Sequence, residues 1–435
     1  MAAAVIALGL VAPRISLAEE TWTEFRGPGG QGHSAATGLP TQWDESTNIR
    51  WRCCIPGVGW SSPVVLNNRI YLTTAVPQSD TDGEKKEKAE ETGQSLRALC
   101  VDAVSGSILW NEEVFRLETG PRAKLHNKNS HASPTPIIDG ERLYVHFGTQ
   151  GTACLTLDGK EIWKTREFVF QPQHGNGNSP IIVDDLLFVN CDGSDIQFVV
   201  ALDKSTGQVR WKKPRPEADE IKKFSFATPL VIEVEGKKQI VSPAAHWVVA
   251  YNPADGEEIW RVRYHGYSLA PRPIYGHGLV FVCTGFDRPS LLAIRPDGTG
   301  DVTKTHVEWK TDRAAPNTPS PLLIGDELYV INDKGVATCF DARSGKTHWT
   351  QRIGGNFSAS PIFADGKVYL ESEDGETIVI RPGLKYEELG RNTLKARTLA
   401  SFAIDGKGIL LRTQNLLLRI EEMRQARGQG ALSLD

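Results

Sequence analysis

The sequence predicts an all-β fold, an eight-bladed β-propeller of four-stranded antiparallel blades closed by the N-terminal strand. Three observations predict it. A block of short strands recurs along most of the chain. Each block ends in a turn with Asp or Asn, Gly and Trp at fixed spacing. One such Trp stands before the first block, where a ring would need it.

The blocks open with Ser-Pro or a relative and are spaced by roughly 40 to 50 residues after a longer first gap. The openings are Ser62-Pro63, Ser133-Pro134, Ser179-Pro180, Thr228-Pro229, Ala270-Pro271, Ser320-Pro321, Ser360-Pro361 and a degenerate Ser401-Phe402. In the second block the strands read 136–138, 143–147, 153–157 and 161–164, with Asp139-Gly140 and Asp158-Gly159 as hairpin turns. Four strands per block at this period is the arithmetic of a propeller blade. Apolar residues alternate or run in short strands, which excludes leucine-rich and helical repeats.

The block ending is sharper. Asp102, Gly106 and Trp110 stand at i, i+4 and i+8, as do Asp203, Gly207 and Trp211, Asn252, Gly256 and Trp260, and Asp341, Gly345 and Trp349. Trp163 follows a shortened turn and Trp309 a longer loop. The Asp or Asn side chain binds the turn backbone, Gly takes the positive φ, and Trp fills the joint between repeats. The eighth block stops without a Trp strand, and Trp51 supplies one, closing the ring and removing an open sheet edge. The seventh block lacks a Trp, and Tyr386 or Leu389 is expected to fill the position.

The propeller is thus expected over residues 47–421, with 19–46 as a Gly-rich extension lying over one face and 422–435 as a tail. The charged run 78–95 reads as a solvated loop of the first blade. Residues 1–18 read as a signal peptide, with an apolar Ala2–Ala12 stretch and small residues at Ser16 and Ala18. A periplasmic or secreted location follows.

The 49 basic and 53 acidic residues give a net charge of −4, which argues against nucleic-acid binding through bulk charge. No apolar run is long enough for a transmembrane helix. Of the seven cysteines, Cys100, Cys154, Cys191, Cys283 and Cys339 fall in apolar strands and read as buried hydrophobes. The adjacent Cys53-Cys54 reads as two unconnected thiols in a strand, with a strained vicinal disulfide as the alternative. No CxxC pair, P-loop, GxSxG, HExxH or Rossmann fingerprint occurs.

The repeated D-x-x-x-G-x-x-x-W ending resembles the tryptophan-docking motif of the PQQ-like β-propeller superfamily. The likeness covers nearly the whole chain after residue 18. Residues 126–163 and 265–321 resemble secreted members of unassigned function in particular. The superfamily includes quinoprotein alcohol dehydrogenases, with PQQ and calcium, and a non-catalytic propeller subunit of the outer-membrane β-barrel assembly machine. For a dehydrogenase, the resemblance implies a Trp floor under the quinone, for which Trp247 is the candidate, and a calcium site with Glu and Asn. No such carboxylate–asparagine set is evident, and Asp287 reads as a loop ion pair with Arg288.

Loops entering the innermost strands converge at one end of a propeller axis. Here they carry His126, Asn127, Lys128, Asn129, His131, His174, Asn176, Asn178, Arg272, Arg313, Asn317, Asn356 and Arg397. This polar, basic set would suit an anionic or polyhydroxylated ligand. The sequence therefore points to a monomeric, non-catalytic scaffold without cofactor or metal that binds protein or polysaccharide. The alternative is a PQQ- and calcium-dependent dehydrogenase of alcohols or sugars.

Overall fold

The computed structural model describes residues 21–78, 93–119, 125–217 and 221–423. The expected signal peptide, residues 1–18, and most of the charged insertion in the first blade lie outside them. Eight sheets, each built on four antiparallel strands, make eight blades, and in the first seven those four strands follow the chain from the axis outward. The second blade is typical, with strands Ile137–Asp139, Arg142–His146, Thr152–Thr156 and Glu161–Thr165. The eighth combines Ala403–Asp405, Gly408–Arg412 and Leu416–Glu421 with the N-terminal strand Ile49–Cys54, paired from Ile49↔Ile420 to Cys54↔Leu416. The ring closes as the stray Trp51 predicts.

The tryptophans show how blades join. The Trp51 Nε1–H donates to the Ala103 carbonyl of blade 1 at 3.0 Å. Trp110, Trp163, Trp211, Trp309 and Trp349 donate in the same way to Leu157, Lys204, Pro253, Ala342 and Gly383 of the following blade. Each repeat Gly is then required twice. Gly207 and Gly256 take φ of 75° and 71°, and a Cβ on either would lie within 2.5 Å of the preceding blade's Trp163 or Trp211 ring. Trp260 departs from the pattern because the fifth blade lacks the short turn. Its long loop instead lays Gly300–Asp301 parallel to the outer strand of blade 4, and Trp260 donates to Gln239 Oε1 at 2.8 Å.

Blade 7 corrects one expectation. Neither Tyr386 nor Leu389 fills the missing position. In the ladder, Ala201 pairs with Trp211 and Cys339 with Trp349, whereas Val379 pairs with Gly390. Gly390 leaves room for Thr41, whose carbonyl would be 2.6 Å from an added Cβ. The extension then inserts Trp43, only 4% exposed, against Tyr369.

The openings show a second regularity. Backbone N–H groups of Ser62, Thr135 and Ser179 donate to the hydroxyls of Thr135, Ser179 and Thr228. Those of Arg272, Ser320, Ser360 and Ser401 donate to Ser320, Ser360, Ser401 and Ser62. Seven of the eight joints around the axis are tied in this way, all but Thr228 to Arg272. The ring corrects two openings: they are Thr135-Pro136 and Arg272-Pro273, not Ser133-Pro134 and Ala270-Pro271. Both sites carry two X-Pro pairs in a row, and the second sets the register because the inner strand starts two residues after the tied residue, at Ile137 and Ile274.

Alternating strands put the entry loops and the second-to-third-strand loops on one face, the entry face. The hairpin turns fill the other. Residues 21–44 cross this turn face. Trp22 pairs with Val65 of blade 1 and Thr23 accepts from Ile138 of blade 2. On the opposite side, His33 bonds Leu323 O of blade 6 and pairs with Phe363 of blade 7.

Candidate functional site

Both ends of the axis are occupied by chain. At the turn face, Arg26 is fully buried and its Nη2 donates to Pro321 O at 2.7 Å. Burial, and then the nearby Arg272 charge, push its pKa down to about 9. Arg272 itself donates to Pro229 O, Phe25 O and Glu24 Oε2. It crosses the one joint without a hydroxyl tie and anchors the extension, so it does not belong with the entry-face set.

At the entry face, the loop before blade 2 reaches toward blades 7 and 8. Lys128 Nζ lies 2.5 Å from Glu373 Oε1, which also accepts from Ser358 at 2.7 Å. Arg397 donates to Asn127 O at 2.7 Å and stacks over Trp60. Glu373 belongs to a second-to-third-strand loop. Strand alternation places such loops on the entry face, a signal the sequence contained.

The predicted residues divide. His126, Asn129 and His174 come together: the two imidazoles meet edge to face at 5.6 Å, and Asn129 Nδ2 donates to His174 O. Partial burial, then the charges of His174, Lys128 and Arg397, lower the His126 pKa. His174 also meets Phe224 edge to face, and aromatic contacts continue through Tyr267 to the exposed Phe286. Asn178 is buried and donates to Asn190 O. Asn317 is tied to the Asp333 carboxylate through its backbone N–H. Arg313 and Asn356 are exposed and stand apart from the His126–His174 pair. Asp287 faces His265 Nε2 at 3.5 Å, not Arg288. His131 lines a cleft of about 480 Å³ between the loops of blades 2 and 3, with Gln150, Gln171 and Asn176.

Trp247 does not face the axis. It is 6% exposed and packs with Phe188 and Trp211 of blade 3 and Val249 and Tyr251 of blade 4. Two guanidinium groups, Arg261 and Arg263, lie 5.1 and 5.5 Å from its ring. Among the described residues, no three or more His, Cys, Asp or Glu side chains gather as a metal site would require. The surroundings of Trp247 do not fit a quinone floor. Cys53 is buried and Cys54 exposed, as alternation along a strand dictates, and both are free thiols.

The fold and its Trp-docked joints define a propeller of the PQQ-like superfamily. More narrowly, the chain belongs to the PQQ_2 family, described as outer membrane protein assembly factor BamB, whose model matches residues 28–167, 91–236, 199–322 and 244–414. It is 24% identical over 297 residues to outer membrane protein assembly factor BamB of Burkholderia pseudomallei strain K96243, across 65% of this chain and 72% of that one. Among solved structures, BamB from Moraxella catarrhalis superposes with a TM-score of 0.59 at 11% identity, covering 87% of this chain and 98% of that chain. A europium-containing methanol dehydrogenase gives 0.60 at 11% identity, covering 90% and 89%. At these identities the structural likeness speaks for the fold alone.

Proposed function

We propose that the protein is a non-catalytic binding scaffold of an extracytoplasmic compartment, offering its entry face to a protein or polysaccharide. The observation that carries this reading is the occupied axis. Residues 21–44 cross one end, and the Lys128–Glu373 and Arg397–Asn127 contacts bridge the other. A cofactor-dependent dehydrogenase needs an axial chamber with a ring floor, and Trp247 lies between blades instead. The family description, an assembly factor, supports the same reading. The apolar leader at residues 1–18 and that description both favour an extracytoplasmic address.

The test is calorimetric titration of the purified protein with PQQ, with and without calcium, followed by a dye-linked oxidation screen with alcohols and sugars. No binding and no turnover are expected. Saturable, calcium-dependent binding with turnover would replace the scaffold reading with the dehydrogenase one.

A further inference from the structure

We infer that the cleft between the entry loops of blades 2 and 3 binds a short neutral oligosaccharide; this rests on the scaffold reading and names its ligand class. The cleft encloses about 480 Å³, within the range of small-molecule sites. Among the described residues its lining carries no Asp, Glu, Lys or Arg, and His131 is its one titratable side chain. These residues offer no fixed charge to an anion or a cation. The lining instead combines side-chain amides, Gln150, Gln171 and Asn176, with an apolar part from Leu125, Phe170 and Pro172. Amides both donate and accept, as a hydroxyl-bearing ring requires, and apolar groups suit the C–H faces of a sugar.

The amides are available and their backbone is fixed. Among the described residues, the Gln150 and Gln171 side chains make no hydrogen bond. Gln171 is nevertheless held, because its N–H donates to Asp195 Oδ1 at 2.8 Å and its carbonyl accepts from Ser194 N–H at 2.8 Å. Asn176 Nδ2 donates to Phe147 O at 3.2 Å, which leaves its oxygen for a ligand hydroxyl. The wall is built on strained backbone: His174 and Gly175 take φ of 67° and 100°. A Cβ on Gly175 would come within 2.6 Å of Leu125. Such positions persist where a site demands them.

The experiment is a glycan array of neutral and acidic oligosaccharides probed with the full chain, followed by calorimetry with the strongest neutral glycan. Saturable binding of neutral glycans is expected. Gln150→Ala and Gln171→Ala each break no internal hydrogen bond, so each should keep the parent Tm and weaken binding about five- to tenfold. Three results would overturn the inference: no neutral glycan binds, acidic glycans bind equally well, or affinity survives in the double variant. None of these touches the PQQ titration, so the cleft can fail while the scaffold reading stands.

Discussion

Trp43 lies against Tyr369 with ring centroids 6.4 Å apart and 24° between planes. Tyr71 with Trp110, Tyr144 with Trp163 and Tyr329 with Trp349 make the corresponding pair inside their own blades. Blade 7 thus borrows its ring from a segment more than 300 residues away in sequence. The borrowed ring is held by its backbone N–H to Asn392 Oδ1 at 2.7 Å. Its indole N–H has no partner among the described residues. The reason is topological: blade 8 is built from both chain ends and has no third-to-fourth-strand turn to offer a carbonyl.

Trp43→Ala should therefore destabilise the protein as a within-blade Trp→Ala does, by about 3–5 kcal/mol. Tyr386→Ala, which touches Trp349 from a more exposed position, should cost less. Urea unfolding of both variants decides the point. A Trp43→Ala protein as stable as the parent would mean that the extension merely rests on blade 7.

Two turn glycines of blade 4 separate backbone strain from crowding. Gly236 and Gly256 have nearly equal φ, 74° and 71°, but only Gly256 lies against a Trp ring. Gly236→Ala should cost about 1–2 kcal/mol from the left-handed conformation alone. Gly256→Ala must also displace Trp211 and should lower Tm clearly further. Equal Tm losses would show that the ring yields without cost.

The hydroxyl ring makes a third expectation. Ser360→Ala removes the acceptor of the Ser320 N–H, which is buried at the axis. An orphaned buried donor costs about 1–3 kcal/mol. Amide hydrogen exchange at Ser320 should accelerate along with the loss of stability. Unchanged protection there would contradict the tie.

Glu371 sets a pH dependence. It is fully buried, burial raises its carboxyl to about 8, and Thr377 is its one hydrogen-bond donor among the described residues. The unfolded chain releases this proton near the ordinary value of 4.5, while the folded chain keeps it until about 8. The contribution is therefore favourable below the unfolded value and is lost as pH rises through the interval, by up to about 1.4 kcal/mol per unit. Glu371→Gln should gain over the parent in Tm at pH 8.5 and lose that advantage at pH 4.5. A constant difference across this range would show that Glu371 does not titrate inside the blade.

The repeat made blades, docking rings and closure legible, because a turn with Asp, Gly and Trp at fixed spacing has one structural use. Three things were hidden. Ser133-Pro134-Thr135-Pro136 offers two registers, and the choice depends on a hydroxyl of the next blade. Trp43 stands outside any repeat, so nothing local marks it as the missing ring of blade 7. The entry loops were expected to converge as one funnel, but which loop spans the mouth depends on a pairing between Lys128 and Glu373, 245 positions apart. Gln150 and Gln171 carry no spacing signal at all, since their meaning comes from two loops placed side by side.

The closing strand also sets a schedule. Ile49 pairs with Ile420 and Cys54 with Leu416, so the closing strand waits for residues made more than 360 positions later before it has a partner. Until then the eighth blade lacks its fourth strand and exposes an edge, and this long loop closure comes late. A chain cut short anywhere before residue 416 stays unsealed and open to proteolysis or edge-to-edge aggregation. Solubility is thereby made to depend on residues 416–421, and a sealed ring certifies that they arrived.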